Sequence, residues 1–381
     1  MHVMHIVDSL HGGGAETSLL EVVPGLTSRG IRTSVVTLFD DDGALEGRVN
    51  GLGITRYRLK QDDPLRLALE LRAVIRAHQP DIVHTTLLFA NLAGRMAVGG
   101  LGIPVVTTLP NDDYGPEHRA NSRHGVTGVR AAQAADALTA RFTTRFHAIS
   151  KEVARVMSRR LVIPKARIQV VYRGRDPAKL GVPSPARRLQ VRTALQIEAE
   201  APLVLSVGRL DRQKSVETTV DAFRRLATQI PDAILLIAGR PGNANEVVQA
   251  IAHGNPAVRL LGHRTDVPDL MCAADVLSFP SRWEGLGGTL IEAMALRLPI
   301  VASDIPPIAE AIGDVGWPLV AVEDGRALSE ALVSVLEAEV VNESKKDAGQ
   351  RRFNALFTAD AAADGMAGLY QDVLGASGRR P

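Results

Sequence analysis

The feature that most constrains this chain is an alternation, run through twice, of short apolar runs with longer amphipathic segments. In the first half His2–Val7 reads as a strand, Glu16–Leu26 as a helix, Arg32–Leu38 as a strand and Pro64–His78 as a helix. Ile82–His84, Pro104–Thr107, Phe146–Ile149 and Ile168–Tyr172 continue as short strands. Apolar runs of this length, separated by segments of helical period, build a parallel sheet covered by helices. Around Asp176–Ala201 the pattern breaks: Pro177, Pro183 and Pro185 precede the basic segment Arg187–Arg192, and Pro202 follows. The alternation then restarts, with strands at Leu203–Val207, Ala233–Ala238, Ala257–Leu261, Asp275–Phe279, Pro299–Ala302 and Trp317–Val320 and a helix at Ser215–Gln229. The expected class is α/β: two Rossmann-like domains, residues 1–178 and 179–358, with parallel sheets facing across a cleft. Residues 359–381 follow as a helix over Ala359–Leu374, packing back toward the first domain, and a disordered tail, Ser377–Pro381. Ligands of such sheets gather at the carboxyl ends of the strands.

Composition narrows the function classes. A formal net charge of +2 over 381 residues gives no footprint for nucleic acid. The hydrophobic fraction of 45% is ample for a core. The lone cysteine, Cys272, cannot form an internal disulfide and reads as a small core residue in a reducing compartment. The first residues lack the charged head and long apolar stretch of a signal peptide, and no run suffices to span a bilayer. A cytoplasmic protein is expected, with a peripheral contact at the inner face of the membrane as a further expectation. The latter rests on Arg119, Arg123, Arg130, Arg141 and Arg145, which read either as a solvated helical face or as a surface for anionic headgroups.

Three segments carry chemistry. Ser281–Ala295 sets Glu284 and Glu292 eight residues apart, with Gly285, Gly287 and Gly288 between them and a helix opening at the second. Exposed glycine amides and a helix N-terminus attract phosphate, and two carboxylates beside them suit sugar or ribose hydroxyls. The competing reading is structural: Thr289 and Glu292 have the spacing of a capping box, and Glu284 could be a loop charge. Gly208–Ser215, after a strand, carries Arg209 and Lys214, a planar fork and a point charge that together suit a diphosphate. The loop after the first strand, His11–Thr17, holds Gly12, Gly13 and Gly14, but Thr17 stands where the dinucleotide fingerprint needs its third glycine.

Together with Gly262–Val267, these segments resemble the large retaining glycosyltransferase family of the GT-B fold, which includes sucrose synthase and bacterial mannosyltransferases. The resemblance spans essentially the whole chain and is stronger in the second half. It implies that Glu284 holds hydroxyls of the transferred sugar and that backbone amides at Leu286, Gly287, Gly288 and Thr289 meet sugar and diphosphate. Glu292 would hold the ribose, Arg209 and Lys214 the diphosphate, Arg264 would lie beside the base, and Gly13 and Gly14 would approach from the first domain. The implied reaction is metal-independent transfer of a hexose or N-acetylhexosamine from a nucleoside diphosphate sugar, UDP first and GDP second. The acceptor would be a glycan or lipid-linked hydroxyl, and no cofactor or metal is implied. Two departures stand out. Pro110 occupies the place of a histidine found in many relatives, leaving His84, Asn111, Asp112 and His118 as acceptor-side candidates. Tyr172–Asp176 carries Arg173 and Arg175 where the family has Asn-Gly-Val-Asp; either arginine faces the cleft or is a surface charge at the hinge.

Three rivals share these residues. Asp40–Asp42 has the spacing of a metal-dependent transferase, although it reads more simply as a solvated loop. A sugar-nucleotide epimerase or hydrolase would need a placed general acid and base. A non-catalytic nucleotide-sugar-binding protein would keep the donor residues and lack turnover.

Overall fold

The computed structural model describes residues 1–59, 63–122 and 124–376; Arg123 and the segment Ser377–Pro381 lie outside the described residues. The chain forms two compact units, Met1–Arg175 with Leu356–Pro381, and Asp176–Ala355.

Unit 1 is built on strands β1 (His2–Val7), β2 (Arg32–Thr37), β3 (Thr55–Arg58), β4 (Ile82–Thr86), β5 (Val105–Leu109), β6 (Arg145–Ala148) and β7 (Ile168–Val170). They lie in the order β3-β2-β1-β4-β5-β6-β7, every pairing parallel. The order reverses direction between β1 and β4, so the loops leaving those two strands diverge and open a crevice at their carboxyl ends. β3, Thr-Arg-Tyr-Arg, has no apolar run because it is a half-exposed edge strand, and it escaped the apolar-run reading for that reason. The helices Leu88–Val98 and Gly125–Ala140 were likewise not anticipated.

The helix Ala359–Ala376 completes unit 1. Ala363, Met366, Leu369, Tyr370 and Val373 are buried in one core with Val3, Val22, Leu26, Ile82 and Val106. The crossing with the helix Gly14–Ser28 depends on Gly25, where a Cβ would stand 2.5 Å from that of Ala363. Outside this contact Arg29 bonds Asp360 and Asp364. At the other end of the returning segment, Arg175 donates its amide to Phe357 O, and Ala359 donates to Arg175 O, each at 2.8 Å. Arg175 is 9% exposed, so it is a buried arginine and not a surface charge.

Unit 2 carries β8 (Leu203–Val207), β9 (Ile234–Ala238), β10 (Val258–Gly262), β11 (Val276–Phe279), β12 (Ile300–Ser303) and β13 (Leu319–Val320). Their order is β10-β9-β8-β11-β12-β13, again all parallel, with the reversal between β8 and β11. The basic segment after the chain break is the helix Pro185–Ala194, started by the Ser184 hydroxyl, which accepts from the Arg187 amide at 3.2 Å. Arg188 and Arg192 both bond Asp275, just before β11, and Arg192 also donates to four main-chain carbonyls, at Glu198, Ala199, Ala201 and Ala273. These arginines fasten the helix to unit 2, where an unpaired buried charge would otherwise be prohibitive. Cys272 is buried. Among the described residues, no helix is long and apolar enough to cross a membrane.

Candidate active site

In unit 2, β8 and β11 pair side by side through Val204↔Val276 and Leu205↔Leu277. Their outgoing loops, 208–215 and 280–287, therefore start as neighbours at the reversal point, and this juxtaposition brings Lys214 to Glu284. The Lys214 ammonium donates to Glu284 Oε1, with side-chain exposures of 23% and 7%. It also sits 5.1 Å from the centre of the Phe279 ring, a cation–π position on the last residue of β11. Two reciprocal bonds lock the loops: Arg282 N donates to Gln213 O at 2.8 Å, and the Gln213 side-chain Nε2 donates to Trp283 O at 2.9 Å. Arg282 extends the lock by pairing with Glu217 and Glu323. A cation and a carboxylate are thus preorganised on a frame that takes no part in the pair itself.

The glycine loop leads into the helix Gly288–Ala295, whose cap is Gly287 at φ 89°, a left-handed conformation that favours glycine. The cap makes no side-chain hydrogen bond. Thr289 therefore lies inside the helix, and the capping-box reading of Thr289 and Glu292 does not hold, because that motif needs the threonine at the cap. Leu286 is fully buried and Glu292 half-buried on the first turns. Arg209 is 64% exposed and bonds Asp211, whose other oxygen accepts the Asn243 amide at 3.0 Å. Arg264 bonds Asp266 at 2.8 Å and lines a surface depression with Arg187 and Asp269.

Unit 1 presents a different chemistry. Gly13 caps the helix Gly14–Ser28, and a Cβ there would meet the Glu16 carboxylate at 2.5 Å; one at Gly14 would lie 3.2 Å from Arg173 Nη1. Arg173 reaches back to Pro110 O at 3.5 Å. Of the acceptor-side candidates, Asp112 is held by a bidentate pair with Arg160, at 2.5 and 2.8 Å. Asn111 has a buried Oδ1 with no hydrogen-bond partner among the described residues. His118, half-buried and pushed below its usual pKa chiefly by burial, lines a cavity of about 640 Å³ at the carboxyl ends of β4 and β5.

His84 offers no ring nitrogen to a ligand. Its Nδ1 meets the Tyr370 hydroxyl and its Nε2 the Thr108 hydroxyl, each at 2.7 Å. Thr108 in turn bonds His147 Nδ1 at 3.0 Å, and His147 Nε2 bonds Val171 O at 2.9 Å. Because a carbonyl only accepts and burial keeps each ring neutral, the proton directions are fixed from that end. His147 donates to Val171, Thr108 donates to His147, His84 donates to Thr108, and Tyr370 donates to His84. Every imidazole in the relay is neutral. Burial agrees, pushing His147 down to about 4, the adjacent His5 down to about 3, and His84 well below the usual value.

Two carboxyls beside the large cavity were not singled out from sequence. Asp8, just past β1, accepts the Ala90 amide at 2.8 Å, and burial pushes its pKa up to about 6. Burial, with Asp112 and Asp136 nearby, pushes Asp113 to about 6 as well, against the opposing charge of Arg173. A run of three polar residues, Asn111–Asp113, gave no signal as to which one faces inward. Asp41, read as part of a solvated loop, is instead the buried partner of Arg56, with a side chain 2% exposed. The arginine stretch also divides: Arg119 bonds Gln133 and Arg145 bonds Ala166 O, whereas Arg130 and Arg141 are exposed.

Residues 201–338 match the family model described as Glycosyl transferases group 1, and residues 12–179 match Glycosyltransferase Family 4. A D-inositol 3-phosphate glycosyltransferase of Xylanimonas cellulosilytica is 29% identical over 350 residues, covering 84% of this chain and 80% of that protein. The UDP-Gal:alpha-D-GlcNAc-diphosphoundecaprenol alpha-1,3-galactosyltransferase of Escherichia coli is 25% identical over 317 residues, covering 81% and 80%. Among solved structures, Anabaena HepE in complex with UDP-glucose superposes with a TM-score of 0.84 at 20% identity, over 98% of this chain and 100% of that one.

Proposed function

Since this chain belongs to the glycosyl transferases of group 1 and is a GT-B glycosyltransferase, we propose that it moves a hexose or N-acetylhexosamine from a UDP-sugar to an acceptor hydroxyl, with retained configuration and without a metal. GDP is the second nucleotide, and a glycan or lipid-linked molecule is the acceptor class. The observation that carries the reading is the Lys214–Glu284 pair at the reversal point of unit 2. The bond from anomeric carbon to phosphate breaks with its electron pair going to the diphosphate. Negative charge grows there, and Lys214, Arg209 and the amides at the start of the helix Gly288–Ala295 stabilise it where it develops. Glu284 accepts hydrogen bonds from sugar hydroxyls, and Glu292 from the ribose. The acceptor hydroxyl attacks the same face, and its proton passes to the departing phosphate oxygen, so no nucleophilic carboxylate is needed.

The relatives reported above are named as transferases, which does not favour an epimerase or hydrolase. Exposed Arg130 and Arg141, beside exposed Leu138 and Phe142, support a peripheral contact with an anionic lipid surface. The test of the reaction is incubation with UDP- and GDP-sugars in EDTA against a panel of polyol, amino-polyol and lipid diphosphate acceptors, reading product anomers by NMR. An α-linked product from an α-linked donor is expected. A β-linked product, or sugar nucleotide consumed with no acceptor modified, would contradict the proposal.

A further inference from the structure

Lys214 and Arg209 share the loop after β8, yet they are held very differently. The Lys214 ammonium is fixed by Glu284 and by the Phe279 ring. Arg209 has a side chain 64% exposed and is joined to the protein by a bond from its Nε to Asp211 Oδ2. That bond leaves the N–H donors of Nη1 and Nη2 without a partner among the described residues. An exposed arginine loses rotamer freedom when it grips an anion, and the loss counts against affinity unless something has already removed it. Holding the fork by Nε removes part of that freedom and keeps both Nη groups available for a bidentate grip.

What holds Asp211 does not depend on Arg209. The residue is 9% exposed, and its other oxygen, Oδ1, accepts the Asn243 amide at 3.0 Å from the loop after β9. That loop is laced to the Arg209 loop by main-chain bonds: Leu210 N donates to Arg240 O at 3.0 Å, and Ala244 N to Leu210 O at 2.8 Å. Asn243 adds a side-chain bond, its Oδ1 accepting the Arg212 amide at 2.9 Å. The fit is so close that a Cβ at Gly242 would collide with Asp211 Oδ1, and one at Gly239 with Gly208 O. Asp211 also links the two cations, since its carbonyl accepts the Lys214 amide at 2.9 Å. A short, buried carboxylate thus has one oxygen committed to the frame and the other to the arginine.

We propose that Asp211 is a positioning residue of the donor site: it touches no substrate, and it holds the Arg209 guanidinium by Nε so that Nη1 and Nη2 are preset for a diphosphate. The inference rests on the transferase reading above and deepens it by naming the group on which the Arg209 contact depends. A pair with so exposed a partner contributes little to stability, so its effect is expected in binding.

The test is a double-mutant cycle, read by calorimetric titration of UDP into the full chain in EDTA, with Arg209→Ala, Asp211→Asn and the two combined. The amide of Asp211→Asn has a single acceptor oxygen and cannot serve both partners. The Asn243 amide, part of the frame, keeps that oxygen, and the NH2 group then meets Arg209 Nε donor against donor. Asp211→Asn should weaken UDP about fivefold, the yield of one side chain immobilised in advance, with the melting temperature nearly unchanged. In the Arg209→Ala background the same substitution should change UDP affinity by less than about twofold, because the group it acts through is gone. Arg209→Lys leaves the buried carboxylate alone and so decides the matter even if Asp211→Asn does not fold. It should weaken UDP about fivefold as well, since one ammonium cannot both hold Asp211 and present a fork. Unchanged UDP affinity in Asp211→Asn or in Arg209→Lys would overturn the proposal. So would an equal loss with and without Arg209, which would make Asp211 a support of the loop and nothing more. The transferase reading fails separately, if neither UDP nor GDP binds the unaltered chain. Arg209 itself leaves the site, and Asp211 with it, if Arg209→Ala binds UDP as tightly as the unaltered chain.

Discussion

The two units share one topology and solve the strand-end problem in opposite ways. Unit 2 places a cation and a carboxylate in contact, Lys214 on Glu284, on loops cross-linked by Gln213, Arg282 and Trp283. Unit 1 sets Asp8 and Asp113 beside apolar walls in a cavity that His118, His124 and Ser122 also line, and carries a neutral histidine relay. A site that must hold a diphosphate needs charge already in position. A cavity that admits an uncharged ring needs space and hydrogen-bonding side chains. The same parallel sheet supplies either, because the loops and not the strands carry the difference.

The sharpest way to break this contrast is at the pair itself. Glu284→Ala and Lys214→Ala should each lower turnover by about 10²–10³-fold, the cost of removing one preorganised group from developing charge, while circular dichroism stays native. Unchanged turnover in either variant would remove that residue from the site.

Acid should separate the units next. His5 and His147 are held neutral, with folded pKa values of about 3 and about 4 against an ordinary 6.5. Their contribution is complete above pH 6.5 and is lost as pH falls from there toward those values. Each contributes a slope of up to about 1.4 kcal/mol per pH unit. Asp8 and Asp113 act in reverse: raised to about 6 from 3.8, they cost stability above about pH 6, and that cost disappears as pH falls to 3.8. Hydrogen exchange between pH 7 and 5 should show amides of β1, β5 and β6 losing protection before those of β8 and β11. Loss in the reverse order would contradict the neutral relay.

Two smaller effects sharpen the comparison. Arg209→Ala should leave the melting temperature nearly unchanged, since exposed pairs contribute at most about 1 kcal/mol, yet weaken UDP binding about tenfold through one lost charge-assisted bond. Asp113→Asn should raise stability at pH 7 by about 1 kcal/mol, relieving a buried carboxylate. A thermal scan at pH 7 and again at pH 4 checks it, because the gain should vanish at the lower pH.

The sequence exposed these two solutions unevenly. Both sheets were legible because buried parallel strands read as unbroken apolar runs. The half-exposed edge strand Thr55–Arg58 and the alanine-rich helix Gly125–Ala140 carry no such pattern. The residues that form the unit 2 pair stood out because Glu284, Lys214 and the glycines lie in short local motifs. In unit 1, Asp8 and Asp113 are far apart in sequence and meet only through the order β1-β4-β5. His84, picked out for its place at a strand end, turned out to be engaged at both nitrogens, and only Tyr370, 286 residues away, reveals that. Arg175 is buried by the returning segment at Phe357, far along the chain, and Asp41 by Arg56 on the edge strand Thr55–Arg58, which carries no apolar pattern.

The most direct test of the central claim is calorimetric titration of UDP in EDTA into the unaltered chain and into Lys214→Ala. The account predicts binding without any divalent ion and a loss of at least about tenfold in the variant. Binding that appears only on adding magnesium or manganese, or an affinity that Lys214→Ala leaves unchanged, would contradict it.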